Sequence, residues 1–398
     1  MASLALFVGM GAFPIGSAAT LEQLEVDPHP VLARLREQEP VSWLPVLGAW
    51  LVTRRDLVLQ AMRDTETFTV DDPRFSTAQV VGPSMLSLDG EAHHAHRDPF
   101  ARAFRLDAVR ERFTEVVAAE TDRLVDAIAG DGHAELRRSV AGPLSVRMMI
   151  VALGLAETPP ETVLGWYDAI VAAVTDITAG APVPPAGSEA FAELVASVEP
   201  MLDGDPDASL VAAAAGDAGG LSRAQVASNA AVLLFGGIET TEGMIANLMF
   251  HVLRDEEQRD LILRDRGPLS NAVEESLRLE PAAAVVDRYA TADVALGGAT
   301  IRRGDPVTLS IAGANRDPSV FVDPDRFDVR RPNAQLHVTF AQGPHVCLGM
   351  HLARLEAQTA LSRLLARLPG LRLDPARPSA PRGLVFRKPP TVDVLWDA

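Results

Sequence analysis

"FAQGPHVCLGMHLARLE", Phe340 to Glu356, holds the single cysteine of a 398-residue chain. Leu361, Leu364, Leu365 and Leu368 follow at the spacing of one apolar helix face, so a helix starts close to Gly349 and Cys347 sits at its N-terminus. Unpaired amides and the positive end of the helix dipole favour a thiolate there, which suits the sulfur to bind a metal or act as a nucleophile. Gly343 and Gly349 bracket the cysteine and let backbone approach something flat or bulky. Three readings follow from these residues: a small buried cysteine that precedes a helix, a nucleophile with His345 or another histidine as base, and a metal ligand.

The rest of the chain narrows the classes. Its length fits two or three domains or one large helical domain, and 47% hydrophobic residues permit a sizeable core. One cysteine excludes a disulfide framework or an iron–sulfur cluster ligated by this chain alone, and points to a reducing cytoplasm. A formal charge of −17 argues against general nucleic-acid or anionic-membrane binding. The N-terminal stretch is uncharged until Glu22 but lacks the basic start of a signal peptide, and its apolar run is too short to span a bilayer. Gly9-Met10-Gly11 hints at a dinucleotide turn, yet Pro14 replaces the third glycine and no ribose-binding acid follows.

Helical periodicity dominates, over about 106–130, 143–154, 188–202, 222–254, 268–279 and 348–368. Short strands are expected in a hairpin at Val41 to Thr53 around Gly48, at Val294 to Leu309 around Gly297-Gly298 and Gly304, and at Thr391 to Leu395. Thr178 to Gly187 reads as a loop between helices, not a domain linker. The expected fold is mainly α with a small β-sheet subdomain, forming one domain over residues 1–398.

Phe340, Gly343, His345, Cys347 and Gly349 together resemble the haem-binding signature of the cytochrome P450 family, Phe-Gly-x-Gly-x-His-x-Cys-x-Gly, with Ala341 in place of the first glycine. The resemblance implies a P450-like fold, haem b (iron protoporphyrin IX) and Cys347 as the iron ligand. It also implies a long helix carrying an acid and a threonine. Ser222-Arg223-Ala224-Gln225 reads as a capping box opening a rod of about 45 Å, and "FGGIETTEG" lies in its middle. Gly236 and Gly237 each cost about 1 kcal/mol in a helix, so close packing, a kink or clearance for a ligand must explain them. By resemblance Glu239 is the acid and Thr240 the hydroxyl of oxygen activation.

Glu275 and Arg278, one turn apart, read alone as a surface pair; the resemblance makes them, with Arg326 of "PDRF", a buried network for folding and haem retention. His93 and Arg97 resemble the family's His-x-x-x-Arg, Arg288 its arginine after the helix, and with His345 they would anchor the propionates. His93, His94 and His96 alone could suggest a metal site, but bring no acid or cysteine at ligand spacing. The implied substrate pocket takes Leu86, Phe235, Gly236, Ala284, Val286 and Phe386 and is mainly apolar, although each residue could pack against the core.

The function expected is monooxygenation of a small organic molecule by O2, of the kind found in bacterial secondary metabolism, in a cytoplasmic monomer without membrane or nucleic-acid contact. Electrons would come from a ferredoxin or flavodoxin with its NAD(P)H reductase. Arg102, Arg105, Arg110 and Arg112 are either the docking face or an ordinary solvated helix face. Peroxide-driven, coupling or desaturation chemistry on the same scaffold, and a haem-thiolate sensor without turnover, are the alternatives.

Overall fold

The computed structural model describes residues 13–178, 182–205, 209–216 and 221–397; Gly9-Met10-Gly11 and part of the loop after Thr178 lie outside them. The fold is mainly α with small β-sheets. Seven helices bear on the site: Gly90–Ala101 (α1), Leu106–Ile128 (α2), Gly142–Leu153 (α3), Pro160–Thr178 (α4), Arg223–Arg254 (α5), Leu269–Leu279 (α6) and Met350–Arg367 (α7). The capping box expected at the start of α5 is formed, with Ser222 N–H on Gln225 Oε1 at 2.8 Å and Gln225 N–H on Ser222 Oγ at 3.3 Å. The chain divides into two compact units: the described parts of 1–69, 246–347 and 372–393, and those of 70–245, 348–371 and 394–398.

The first unit is built on a five-stranded sheet of Val41–Leu44 (β1), Ala49–Val52 (β2), Phe68–Thr69 (β3), Val285–Ala290 (β4) and Pro306–Ser310 (β5), in the order β1-β2-β5-β4-β3. The expected hairpin is β1/β2, paired antiparallel with Trp43 opposite Trp50. Every residue of β2 is buried, because alternate side chains feed two cores. Trp50 and Val52 join Leu57, Val58, Met62, Val307 and Leu309, whereas Leu51 joins Leu24, Leu32, Leu35 and Ala312. The second expected hairpin pairs Val294–Leu296 with Ala299–Ile301, and a strand runs over Asp393–Leu395.

In the second unit α7 packs along α2, burying Leu361, Leu364 and Leu365, with Arg363 on Asp122 at 3.1 Å outside the seam. The apolar face read from the sequence is the face that is buried.

Candidate active site

Cys347 closes a short turn in the first unit. Its N–H donates to Phe340 O at 2.8 Å, and Gly343–His345 forms one 3-10 turn inside the loop. Ala341 (φ +57) and Gly343 (φ +76) are both left-handed. A Cβ on Gly343 would lie 2.8 Å from Met62 O, so only glycine fits there without displacement. The thiol is exposed, which removes the reading of a buried structural cysteine.

Below this turn lies a buried ionic network that holds it. Arg278 donates from Nε to Glu275 Oε2 at 2.7 Å and from Nη2 to Oε1 at 2.9 Å, and both side chains are fully buried. Arg278 Nη1 also donates to Asn315 O at 3.0 Å; Asn315 Oδ1 accepts from Val338 N–H at 2.7 Å, and its Nδ2 donates to Thr339 Oγ1 at 2.9 Å. The network thus reaches the first residues of the cysteine turn. The surface-pair reading of Glu275 and Arg278 is overturned. So is the role of Arg326: its side chain is exposed, and only its carbonyl takes part, accepting from Arg278 and Arg331. The second guanidinium on Glu275 belongs to Arg331, which the sequence analysis does not single out.

Arg288 is buried on β4, with Nη1 on Asp287 O at 2.7 Å. Phe386 forms a bridge with Ala283, so the two segments expected to line a pocket lie side by side. Ala284, however, belongs to the core with Leu24 and Leu32, and Val286 packs against the core behind the sheet. Within this set Phe386 remains as a candidate for lining.

The second unit carries the other half of the predicted residues. On α1, His93 is fully buried and Arg97, one turn on, half-buried on the same face. His94 is exposed, and the ring of His96 meets Asn229 Nδ2 at 3.1 Å and Gln225 Nε2 at 3.3 Å, so the three histidines do not converge. On α5, Glu239 is 9% exposed, and Thr240 Oγ1 donates to Gly236 O at 2.6 Å. The Glu239 carboxylate accepts from the hydroxyl of Tyr167 on α4, a partner absent from the sequence reading. The adjacent glycines divide the explanations offered for them. A Cβ at Gly237 would collide with Met149 Sδ on α3, whereas one at Gly236 meets no described atom within 4 Å.

Phe235 and Leu86 are half-buried, and Met85 beside Leu86 donates its N–H to Asn229 Oδ1 at 2.8 Å. Gly349 is the N-cap of α7 without a side-chain cap, and its carbonyl accepts from Ala353 N–H at 3.0 Å. Arg102, Arg105 and Arg110 are exposed, and Arg112 lies over the ring of Phe113. Burial, then the charges of Arg354 and Arg110, lower the His351 pKa.

A haem requires an axial donor and cationic or hydrogen-bonding partners for two propionates. In the first unit the exposed Cys347 thiol, buried Arg288 and half-buried His345 fit that requirement by their chemistry, and in the second unit buried His93 and half-buried Arg97 are donors of the same kind.

The family model "Cytochrome P450" matches residues 263–392. The chain is 34% identical over 375 residues to "Cytochrome P450 monooxygenase PikC" of Streptomyces venezuelae, covering 89% of this chain and 86% of that protein. To "Mycinamicin IV hydroxylase/epoxidase" of Micromonospora griseorubida it is 34% identical over 381 residues, 91% of this chain and 94% of that one. The fold is similar to P450BioI, solved in complex with "hexadec-9Z-enoic acid ligated Acyl Carrier Protein", with a TM-score of 0.84, 27% identity, and coverage of 94% and 100%. Identity of this extent over nearly the whole chain makes it a member of the cytochrome P450 family, and so a haem-iron monooxygenase.

Proposed function

We propose that this enzyme hydroxylates or epoxidises a small, mainly apolar organic molecule, using haem b and electrons from a separate carrier, as a single-domain cytoplasmic monomer. The observation that carries the reading is Cys347: the only cysteine, exposed, on a turn fixed by a buried ion network. A haem held through this thiolate would supply the dioxygen chemistry, and that oxidation would be the cofactor's part.

The chain supplies the remainder. Cys347 would ligate the iron; His93, Arg97, Arg288 and His345 would hold the propionates; Phe340 and Gly349 would border the macrocycle. Glu239 would carry protons from solvent and the Thr240 hydroxyl would hold ordered water to receive them. Leu86, Phe235, Phe386 and the bare backbone at Gly236 would form the apolar lining. A relative named hydroxylase/epoxidase supports the reaction, and a fold relative in complex with an acyl carrier protein bearing hexadec-9Z-enoic acid supports an apolar substrate.

The sequence holds no flavin or nicotinamide motif, so a ferredoxin or flavodoxin with its NAD(P)H reductase would deliver electrons. The exposed Arg102, Arg105 and Arg110 suit an acidic carrier, although the protein's net charge is −17. Among the described residues no helix is long and apolar enough to cross a membrane.

The test has two parts. Cys347→Ala should abolish the thiolate-type spectrum of the reduced carbon monoxide complex; a variant that kept it would remove the ligand assignment. Apolar compounds that shift the spin-state spectrum should then be oxygenated with a surrogate ferredoxin system, and haem-loaded protein that consumed no oxygen would point to the sensor alternative.

A further inference from the structure

The chain has two tyrosines, Tyr167 and Tyr289. Tyr167 lies on the buried stripe of α4 with Val163, Trp166 and Ile170, and its O–H donates to Glu239 Oε2 on α5. A phenol buried this deeply needs an acceptor, and a carboxylate is a strong one. Burial, then the charge and hydrogen bond of Glu239, with Glu242 and Asp168 adding, raise this phenol far above its ordinary range. It is therefore held in its protonated form, as the donor to Glu239.

Thr240 does not perform this task, because its hydroxyl is turned back to Gly236 O. The orientation of Glu239 is instead set from the neighbouring helix. Glu242 is one turn further along α5, a rise of about 4.5 Å. It pairs with Arg137 Nε at 2.9 Å and lines a cleft of ≈ 550 Å³ with Arg147, Pro143 and Leu164. Solvent thus reaches within one helical turn of the buried acid.

We propose that Tyr167 is the positioning residue of the proton relay: its hydrogen bond holds Glu239 so that the carboxyl group passes a proton toward Thr240 and is reprotonated from the Glu242 side. The proposal rests on the relay reading of Glu239 and Thr240. Each proton that leaves a Glu239 oxygen is replaced by one from solvent, twice for every O2 reduced to hydroxyl and water, while Tyr167 keeps its own.

A double-mutant cycle on the holoenzyme with a surrogate ferredoxin system separates the two ideas. Glu239→Gln should lower coupled product formation by about 100-fold. Tyr167→Phe should lower it by about ten-fold, with a raised solvent deuterium isotope effect and unchanged spin-state Kd. In the Glu239→Gln background, Tyr167→Phe should add nothing. A full additional loss there, or no loss in the single variant, would overturn the proposal and leave the relay standing; full turnover in Glu239→Gln would end both.

A second readout is independent of turnover. Labelling with 3-fluorotyrosine gives two fluorine signals, and Tyr167→Phe identifies the one from position 167. Glu239→Gln should shift that signal and lower the pH at which it ionises, leaving the Tyr289 signal in place. A signal indifferent to Glu239 would show that the two side chains do not meet, and the proposal would fall.

Discussion

Arg331 Nε lies 2.9 Å from Glu275 Oε1 and 3.0 Å from Oε2, and both side chains are buried. One carboxylate thus accepts from two guanidinium groups, with Asp328 N–H adding a contact to Oε1 at 3.0 Å. Arg331 also donates to the carbonyls of Val322, Asp323 and Arg326, so its loss would leave several buried acceptors unmatched.

The first prediction contrasts the two candidate partners of Glu275. Arg331→Ala should destabilise the holoprotein by about 3–5 kcal/mol, since it leaves a buried charge partly uncompensated. Arg326→Ala should cost less than about 0.5 kcal/mol, because the exposed side chain is dispensable and the carbonyl is retained. Chemical denaturation followed by haem absorbance compares them; equal losses would count against the network as drawn.

The contrast also shows what a linear reading can reach. The box at Ser222 to Gln225, the leucine face of α7 and the cysteine signature are local patterns, and their elements form within about two residues of the expected bounds. Arg331 is 56 residues from Glu275, and Tyr167 is 72 from Glu239. Neither pairing leaves a periodic trace, and nothing local in the sequence marks Arg331 as the second guanidinium on Glu275. The signal for α4 was present, because Val163, Trp166, Ile170, Ala173 and Ile177 repeat at helical spacing and are all buried. A tyrosine on that stripe is a buried polar group in need of a partner, and that was the available clue to Tyr167. Ala284 was misplaced for the opposite reason: a small apolar residue carries no mark of which core it enters.

A second prediction concerns acid. Burial alone would raise the Glu280 pKa, but the hydrogen bond and charge of His29, then Arg387 and Arg316, outweigh it and hold the carboxyl well below its ordinary range. Arg387 Nε is 2.7 Å from Oε1 and His29 Nε2 is 3.0 Å from Oε2. A depressed folded pKa means that the unfolded chain binds more protons, so this stabilisation is present above the unfolded pKa and is lost as pH falls through the folded one. Glu280→Gln should be less stable than the parent near pH 7 by about 3 kcal/mol. The gap should narrow steadily below about pH 5 in urea titrations; a gap independent of pH would exclude the linkage.

A third prediction addresses proton handling. Thr240→Ala removes the Oγ1 that donates to Gly236 O while leaving α5 a better helix former at that position. Haem content, substrate-induced spin shift and the carbon monoxide spectrum should be unchanged. Product per NAD(P)H consumed should fall by about ten-fold, with the missing equivalents recovered as peroxide. Peroxide assay beside NAD(P)H oxidation decides it, and unchanged coupling would take Thr240 out of the relay.

The last prediction turns on the one residue of the cysteine signature that departs from the family pattern. Ala341 keeps a left-handed φ of +57 where the pattern has glycine, and a Cβ in that region costs about 1–2 kcal/mol. Its methyl group packs against the sheet core, which offsets part of that cost. Ala341→Gly should therefore stabilise the protein by about 0.5–1 kcal/mol with the thiolate spectrum intact. Gly343→Ala meets the opposite fate: at φ +76 the new Cβ is strained and also presses on Met62 O at 2.8 Å, backbone that cannot swing aside. That variant should lose more than about 2 kcal/mol, and because the turn positions Cys347, it should also release haem faster. Thermal unfolding and haem transfer to apomyoglobin measure the two effects. If Ala341→Gly were destabilising, the left-handed turn before Cys347 would be wrong, and the argument that its backbone fixes the thiol would be wrong with it.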